Sequence, residues 1–264
     1  MRPDHSFVIP AYGCSPHLTA CLESLQAQTA PGSEVVLCTS TPSETLSRIA
    51  ERFDVEVRVH EPNAGIGRDW NAALDCASRS WVTIAHQDDV YLPRFVERTM
   101  ATVSKTPGAS LAMTGYSELL DERIRERSMM LRIKSLLLEV GFLGRDAAAS
   151  RSSKTRLLRF GCPVACPSVT LGPSLSNLRF REDLRVDLDW DAWIRAARLP
   201  GAFCYVRDRL MLHRIHGESE TTAGVRDGVR AREDAEMFAS LWPAPVARLL
   251  ARAYATSYEE GGHA

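Results

Sequence analysis

Adjacent carboxylates, Asp88 and Asp89, stand directly after a short β-branched run of this chain. Residues 82–85 favour a strand buried on both faces, which places the two acids at its carboxyl end. Neighbouring carboxylates raise each other's pKa unless a cation or strong hydrogen bonds hold them. A divalent ion that carries a diphosphate suits such oxygen ligands. A solvated turn in which one Asp caps the next helix is the alternative that this dipeptide alone leaves open.

A second acidic cluster, Asp187, Asp189 and Asp191, comes much later in the chain. Its spacing predicts the start of a helix, with Asp187 as the cap and Asp191 beside the positive end of the helix dipole. Trp190 and Trp193 are then expected either to pack against the domain or to line a pocket.

Strands and helices alternate through the first part of the chain. This alternation predicts an α/β fold with a doubly wound, mainly parallel sheet over residues 1 to about 115, flanked by helices. Right-handed crossovers place the carboxyl ends of parallel strands on one edge, so the loops after these strands should converge on a common crevice. The predicted strands are residues 7–12, 34–38, 55–59 and 81–85.

The later part of the chain has a different character. Residues 117–160 are charged and rich in leucine, which predicts a helix packed on the sheet with a solvated face. A basic amphipathic segment that touches an acceptor or a membrane surface is the second interpretation. Residues 147–154 are predicted to form a flexible loop. Short strands are expected at 168–171 and 203–206, and the tail should form one charged helix and a short terminal helix around 242–258.

Bulk properties narrow the class of protein. The net charge of −1 over 264 residues gives no electrostatic basis for binding nucleic acid. The seven cysteines are scattered, and the spacing of Cys162 and Cys166 fits neither the usual zinc pairs nor a redox motif, so we expect buried thiols in a reducing compartment. Without a signal-peptide pattern or an apolar run long enough for a bilayer, the expected location is cytoplasmic.

The motifs, taken in order, resemble the inverting nucleotide-sugar glycosyltransferases of family 2, which have the GT-A fold. The resemblance covers roughly residues 5–216. Each motif is weak alone, whereas their order and spacing together are specific. The matching segments are Phe7-Val-Ile-Pro-Ala-Tyr12, Leu22-Glu-Ser-Leu25 with Gln28-Thr29, Asn63-x-Gly65 with Asn71-Ala72, Asp88-Asp89-Val-Tyr-Leu-Pro93, Asp189-Trp-Asp-x-Trp193 and Arg214-Ile-His216.

The resemblance implies a nucleoside-diphosphate-sugar donor. Asp88 matches the last acid of the family's DxD motif, which holds Mn2+ or Mg2+ against the diphosphate. His216 would be a further metal ligand or a diphosphate contact; without the resemblance, His213 and His216 would be one buried and one surface histidine. The expected donor contacts are Pro10, Ala11, Tyr12, Thr39, Ser40, Asn63, Gly65, Arg68, Asn71, His86 and Gln87.

Asp189 matches the catalytic base of the family. Inverting transfer needs one carboxylate that takes the proton of the acceptor hydroxyl while it attacks the anomeric carbon. Helix capping is the alternative role of Asp189. The family further implies a glycan or lipid-linked acceptor and bacterial cell-surface glycan or glycolipid synthesis, with a peripheral contact at the inner face of the membrane as an option.

Three positions depart from the family pattern. Members usually carry one or two acids after the second strand, where this chain has Cys38-Thr-Ser-Thr41, and the first acid of DxD is replaced by His86. Trp70 stands where many members carry Arg or Lys, and Arg68 either takes over a phosphate contact or lies on the surface. The donor base and sugar are therefore left open.

The expected organisation has three parts: a nucleotide-sugar-binding half (1–115), a smaller acceptor-binding and catalytic half of the same domain (116–216), and a C-terminal helical tail (217–264). Two other functions were weighed. A nucleotidyltransferase would need a basic phosphate loop, and residues 11–14 contain neither Lys nor Arg. A non-catalytic nucleotide-binding or scaffold protein of the same fold is favoured by the missing carboxylates, whereas the presence of Asp88, Asp189 and His216 argues against it.

Overall fold

The computed structural model describes residues 3–61, 65–216 and 227–261, with side chains described to residue 255. The strands are β1 (His5–Ala11), β2 (Glu34–Thr39), β3 (Glu56–Val59), β4 (Trp81–Ile84), β5 (Val90–Tyr91), β6 (Ala109–Leu120), β7 (Arg123–Arg125), β8 (Ala147–Ala148), β9 (Val169–Leu171) and β10 (Ala202–Arg214). The helices are α1 (Leu18–Gln26), α2 (Glu44–Phe53), α3 (Ile66–Asp75), α4 (Phe95–Lys105), α5 (Met129–Phe142), α6 (Arg151–Leu158), α7 (Leu188–Arg198), α8 (Val229–Leu241) and α9 (Ala244–Gly261).

These strands form one mixed sheet with the order β3-β2-β1-β4-β9-β6-β10-β5. The first four strands in this order are parallel, so their carboxyl ends share one edge, as predicted. β9 runs antiparallel between β4 and β6, and β10 is parallel to β6. The predicted α/β fold with a sheet flanked by helices is confirmed, and the sheet is mixed because β9 and β5 run antiparallel to their neighbours. The three-part division stays a prediction, and β6 runs across its first boundary.

Apolar residues cover both faces of the sheet, and adjacent residues of β1 show why. Phe7 and Ile9 pack with Leu18 and Leu22 of α1 on one face. Val8 points to the opposite face and joins the larger core cluster. A parallel strand buried on both faces has this continuous apolar run instead of an alternating pattern. The sheet is thus a rigid base for the loops at its edge.

The predicted loop over residues 147–154 is wrong, because this segment contains β8 and the start of α6. Ser150 is the N-cap of α6, and its hydroxyl accepts a hydrogen bond from the Ser153 amide at 3.2 Å. Lys154 is buried, and its ammonium donates to the carbonyls of Leu199 and Gly201 at 2.5 and 2.9 Å. Local capping and one buried cation therefore order a polar segment that has little hydrophobic pattern.

The two tail helices predicted from the sequence are present as α8 and α9. Phe238 of α8 meets Trp190 of α7 edge to face, with ring centroids 5.0 Å apart, so the tail packs against the helix that carries the second acidic cluster. Across the residues that the structure describes, none of the helices is both long and apolar enough to cross a bilayer. The expectation of buried thiols holds for five of the seven cysteines, whereas Cys14 is exposed and Cys162 is partly exposed.

Candidate active site

Asp89 is a fully buried carboxylate at the carboxyl end of β4. Its Oδ1 accepts hydrogen bonds from the backbone amide of Arg214 at 2.8 Å and from Nδ1 of His213 at 3.1 Å. Both partners lie at the end of β10, far away in sequence. Adjacent carboxylates can be stabilised by a cation or by strong hydrogen bonds. Asp89 is stabilised in the second way, by the Arg214 amide and the His213 imidazole.

Asp88 faces outward from the same turn and is half-buried. Its Oδ2 lies 2.8 Å from Nε2 of His216, one of the residues predicted to act with it. Burial opposes ionisation of Asp88, but the charges of His86 and His213 and the hydrogen bond to His216 outweigh it and hold the pKa of Asp88 below its usual range. Asp88 is therefore an ionised carboxylate surrounded by imidazoles.

His86 completes this group. Its ring lies against Trp70, with centroids 5.0 Å apart, and burial lowers its pKa, so the imidazole is neutral near pH 7. Its buried Nε2 makes no hydrogen bond within the described part of the chain. Ligand atoms of His86, Asp88 and Asp89 can lie within 4.8 Å of one another. A neutral imidazole beside an ionised carboxylate fits a divalent ion, and nitrogen ligands favour Mn2+ over Mg2+.

Arg214 positions this turn. Its Nε donates to the carbonyl of Asp88 at 2.9 Å, its backbone amide holds Asp89, and its guanidinium also bonds the Glu122 carboxylate. The side chain is buried, which fixes the end of β10 against the end of β4. The sequence placed Arg214 in a motif but gave it no role, because its partners lie more than 90 positions away.

Asp189 lies in the first turn of α7, where the sequence predicted a helix start. Its Oδ1 accepts a hydrogen bond from the backbone amide of Trp190 at 2.7 Å. Burial outweighs this bond and the attraction of Lys134, and raises the pKa of Asp189 to about 6. A carboxylate with this pKa is ionised at pH 7 and can accept a proton, which is the property that general-base catalysis requires.

Asp187 is the N-cap residue of α7, as predicted, but its side chain makes no capping hydrogen bond to the described residues. Burial and the neighbouring Asp234 carboxyl raise its pKa well above the usual range, so Asp187 is the less ionised of the two acids. The residue caps the helix through its backbone, since its carbonyl accepts from the Asp191 amide at 2.9 Å.

Glu233 of α8 anchors the segment that leads into α7. Its carboxylate accepts three backbone amides, from Arg185 at 2.9 Å, Val186 at 2.8 Å and Asp187 at 3.0 Å. Its side chain is almost completely buried. The sequence analysis missed this residue, and the only signal would have been an acid on the apolar side of a charged helix. Glu233 fixes the position of the helix start that carries Asp189.

The two acidic regions share electrostatic neighbours. The ammonium of Lys134 on α5 donates to the Tyr116 hydroxyl at 3.0 Å and acts electrostatically on both Asp189 and His213. The thiol of Cys166, whose pKa burial raises, is likewise influenced by Asp189 and by Asp89. Asp189 and His213, the histidine partner of Asp89, therefore have Lys134 as a common neighbour.

The residues predicted to contact the donor at the ends of β1 and β2 lie together. Tyr12 exposes 55% of its surface, and its carbonyl accepts from Nε2 of Gln87 at 3.0 Å. Thr39 is buried, and its hydroxyl accepts from the Thr41 amide at 3.0 Å, while the Gly13 amide donates to the Thr41 hydroxyl at 2.7 Å. Pro10 and Ala11 form the strand end beneath Tyr12. These contacts close one side of the crevice, and the roles of these residues toward a donor stay predictions.

The predicted donor residues around α3 are more dispersed. Gly65 is the N-cap of α3 with a positive φ of 104°, a backbone conformation that favours glycine. The amide group of Asn71 bonds the backbone of Phe180 in both directions, at 2.9 and 2.7 Å. Arg68 pairs with the exposed Glu61 carboxylate at 3.0 Å. Asn63 lies outside the described residues.

Trp190 and Trp193 both pack into the core, the first of the two expectations for them. Trp190 is fully buried, and its indole donates to the Leu158 carbonyl at 3.1 Å. Trp193 meets Phe180 edge to face, with centroids 6.1 Å apart. They stabilise the position of α7 and so of Asp189.

Comparison with known proteins agrees with this architecture. The family model described as glycosyl transferase family 2 matches residues 6–170, which is more than half of the chain, and the chain therefore belongs to that family. The amylovoran biosynthesis glycosyltransferase AmsE of Erwinia amylovora is 31% identical over 124 residues, covering 45% of this chain and 46% of that protein. The chondroitin synthase of Pasteurella multocida is 31% identical over 130 residues, covering 42% of this chain and 14% of that protein. The chain thus spans less than half the length of these curated relatives.

Solved structures show the same fold. The mannosyltransferase PcManGT from Pyrobaculum calidifontis, in complex with GDP-Man and Mn2+, aligns with a TM-score of 0.63 at 17% identity, covering 97% of this chain and 70% of that chain. S. aureus TarS 1-349 in complex with UDP-GlcNAc aligns with a TM-score of 0.62 at 16% identity, covering 94% of this chain and 70% of that chain. At this identity the likeness establishes the GT-A fold.

Proposed function

We propose that this protein transfers a sugar from a nucleoside-diphosphate sugar to a hydroxyl acceptor with inversion at the anomeric carbon. One observation carries the proposal: the chain combines an ionised Asp88 held among imidazoles with Asp189, whose pKa of about 6 suits a general base, and Lys134 acts on both Asp189 and His213. Membership of the family and the donor complexes of TarS and PcManGT support it.

On the donor side, Asp88 and His216 would hold a divalent ion, with His86 as a third ligand. A bound Mn2+ or Mg2+ would supply Lewis-acid stabilisation of the charge that develops on the departing diphosphate. The tight pairing of Asp89 with His213 and the Arg214 amide leaves Asp88 as the carboxylate directed to the ligand. Tyr12 and Gln87 would flank the nucleotide, since both line the crevice beside this turn.

On the acceptor side, Asp189 would accept the proton of the acceptor hydroxyl as its oxygen bonds to the anomeric carbon. The bond from that carbon to the diphosphate oxygen breaks on the opposite face, and the nucleoside diphosphate leaves as an anion without needing a general acid. One base is therefore sufficient. The hydrogen bond from the Trp190 amide to Oδ1 orients the carboxylate.

We further propose that the acceptor is a glycan or a lipid-linked hydroxyl in bacterial surface polysaccharide synthesis. Relatives named for amylovoran biosynthesis and chondroitin synthesis support this setting. The acceptor pocket would lie between α5 and α7, because Lys134 of α5 acts on Asp189. The donor base and sugar are not assigned by these contacts.

Helix α5 supports a peripheral contact at the inner face of the membrane. A row of exposed apolar side chains runs along it with alternating spacings of four and three, which is one face of a helix. Exposed arginines flank this row, as in helices that lie on anionic lipid surfaces. The apolar row is Met129, Ile133, Leu136, Val140 and Leu143, and the flanking arginines are Arg123, Arg125, Arg127 and Arg132.

Co-sedimentation with vesicles tests the membrane contact. We expect the protein to bind vesicles that contain anionic lipid and not vesicles of neutral lipid alone, and Leu136→Asp to remove this binding. Leu249→Asp, on the exposed side of α9, is the matched control and should bind like the wild type. Equal binding of both variants to anionic vesicles would contradict a contact through α5.

Release of nucleoside diphosphate tests the enzymatic proposal. The protein is incubated with Mn2+ and each of UDP-, GDP-, dTDP- and CDP-sugars, with and without glycan acceptors. We expect release from one donor class, which EDTA and Asp189→Asn both abolish. Donor binding without release by the wild type under any acceptor condition would favour the non-catalytic alternative.

A further inference from the structure

A further polar cluster lies at the sheet edge, apart from the two acidic regions. It consists of Ser40, His60 and Asp69, and we call it the Asp69 cluster. Three of its polar atoms, Asp69 Oδ1, His60 Nε2 and Ser40 Oγ, are buried and make no hydrogen bond within the part of the chain that the structure describes. His60 Nε2 and Asp69 Oδ1 are 3.4 Å apart but not aligned for a hydrogen bond.

The topology places this cluster beside the residues expected to contact the nucleotide. Ser40 directly follows β2, and His60 directly follows β3, with its amide bonded to the Thr39 carbonyl at 3.0 Å. Asp69 lies in the first turn of α3. β2 also pairs with β1, in a register that sets Thr39 beside Ala11. The cluster therefore lies at the carboxyl edge of the parallel strands, where open α/β sheets bind their ligands.

Burial of these groups without partners is unfavourable. An unsatisfied buried polar atom costs folding free energy, and most native proteins pair nearly all such atoms. Asp69 and Ser40 are each only 8% exposed, so water around their side chains is scarce. Burial raises the pKa of Asp69, which the proximity of Ser40 and His60 only partly opposes. A ligand that donates hydrogen bonds would remove this deficit.

Asp75, at the other end of the same helix, shows the contrast. Its carboxylate is exposed and pairs with the Arg179 guanidinium at 2.6 Å. The acid on the surface is thus paired by the protein, whereas Oδ1 of the acid at the sheet edge has no hydrogen-bond partner among the described residues. The chain also lacks a carboxylate at residues 38–41, where the resemblance led us to expect one.

We propose that Asp69, together with His60 and Ser40, recognises the nucleoside of the donor by accepting hydrogen bonds from it. This inference rests on the proposed function, and it names which residues select the nucleotide. A carboxylate oxygen and an imidazole nitrogen suit N–H donors of a base or O–H donors of the ribose, and both sources share this chemistry. Asp69 then serves in place of the missing acids after β2.

Titration calorimetry with Mn2+ present tests the proposal on the full-length chain. Wild type, Asp69→Asn and the control Asp75→Asn are titrated with UDP, GDP and CDP, and with inorganic pyrophosphate, which has no nucleoside. We expect Asp69→Asn to bind the preferred nucleotide about tenfold more weakly or worse, the effect of losing a hydrogen bond to a charged group. Pyrophosphate affinity should be unchanged, and Asp75→Asn should match the wild type.

Two further arms separate the sources of the contact. If Asp69 accepts from the base, Asp69→Asn reduces the preference among UDP, GDP and CDP. If it accepts from the ribose, the variant weakens all three equally, and the wild type binds the 2′- or 3′-deoxy form of the preferred nucleotide less well. The melting temperature of Asp69→Asn at pH 7 should equal or exceed that of the wild type, since the substitution removes a buried carboxyl whose Oδ1 has no hydrogen-bond partner among the described residues.

Unchanged nucleotide affinity of Asp69→Asn, with or without a fall in melting temperature, would overturn the proposal and leave the proposed function intact. An equal loss for pyrophosphate and nucleotide would also overturn it, because the effect would then lie at the diphosphate. If the wild type binds pyrophosphate with Mn2+ but none of the nucleotides, both this inference and the proposed function fail.

Discussion

The two acidic regions have similar side chains and opposite environments. At the end of β4, Asp89 is saturated with hydrogen bonds and Asp88 lies among histidines that lower its pKa. At the start of α7, Asp187 is buried and Asp189 is half-buried, and the pKa values of both are raised. Pairs of carboxylates whose surroundings move their pKa values apart are typical of sites where acids have different roles.

This difference supports the roles that we propose. A carboxylate that stays ionised attracts positive charge, so Asp88 suits a cation that in turn binds the diphosphate. A carboxylate that can accept a proton near neutral pH suits acid–base chemistry, so Asp189 suits the acceptor hydroxyl. The fold produces this contrast by placing histidines around Asp88 and apolar packing around Trp190, next to Asp189.

The largest effect is expected for Asp189→Asn. The amide keeps the shape of the side chain but cannot take a proton, so the turnover number should fall by about a hundredfold to ten-thousandfold. Donor affinity should be unchanged, because the base acts only in the transition state. The measurement is initial rate against calorimetric Kd for the donor. Asp183→Asn, in the exposed loop before α7, is the control, and equal rates for both variants would remove Asp189 from the mechanism.

Asp88→Asn should show the complementary pattern. Loss of an ionised ligand should weaken Mn2+-dependent donor binding at least by the roughly 10- to 100-fold typical of second-sphere substitutions. Its stability effect should differ too: the lowered pKa of Asp88 contributes stability above about pH 4, which is lost as pH falls. Thermal unfolding at pH 7 should thus show a lower midpoint for Asp88→Asn. Donor affinity that is the same in EDTA and in Mn2+ for the wild type would contradict this role.

Glu233→Gln should reduce turnover by a smaller factor, about tenfold. The amide keeps one acceptor oxygen, so at least one of the three backbone amides would face an NH2 group, and the remaining bonds lose their charge assistance. Turnover should fall more than donor affinity, because the residue positions Asp189 and lies away from the donor site. Glu236→Gln, one turn along α8 and paired with Arg181 on the surface, is the control. Identical rates for Glu233→Gln and Glu236→Gln would show that the anchor has no catalytic consequence.

The pH profile gives the mildest test. The pKa of Asp189 is raised to about 6, so activity should fall as pH falls through 6, by about tenfold per unit at lower pH. An ordinary carboxyl would sustain activity to about pH 4. The sign for stability is opposite to that of Asp88: a raised pKa stabilises the protonated folded state, so this contribution is lost as pH rises through 4 to 6. A profile that stays flat down to pH 4 would show that Asp189 does not control the rate.

Local patterns in the sequence predicted much of the fold and part of the site. The β-branched run before Asp88 predicted the end of β4. The spacing of the acids around Asp187 predicted the start of α7. The parallel crossovers placed the strand ends on one edge, as the structure shows. These features depend on residues close together in the chain, which is why sequence reasoning reached them.

Features that depend on distant partners were not predictable. Asp89 is held by residues 124 and 125 positions away, and Glu233 anchors amides 46 to 48 positions earlier. The Asp69 cluster combines side chains after two strands and within a helix, and its orphan atoms are visible only once burial is known. The prediction of a loop at residues 147–154 was wrong because a buried lysine, and not a hydrophobic pattern, orders this segment.

Calorimetric titration of the wild type with UDP, GDP, dTDP and CDP, each in Mn2+ and in EDTA, tests the proposed donor site most directly. We expect binding of one nucleotide that depends on Mn2+, with a parallel rise of the melting temperature as bound ligand stabilises the folded state. Absence of binding by all four nucleotides in Mn2+, or equal binding in EDTA, would contradict the assignment of the histidine-lined carboxylate to a metal-held diphosphate.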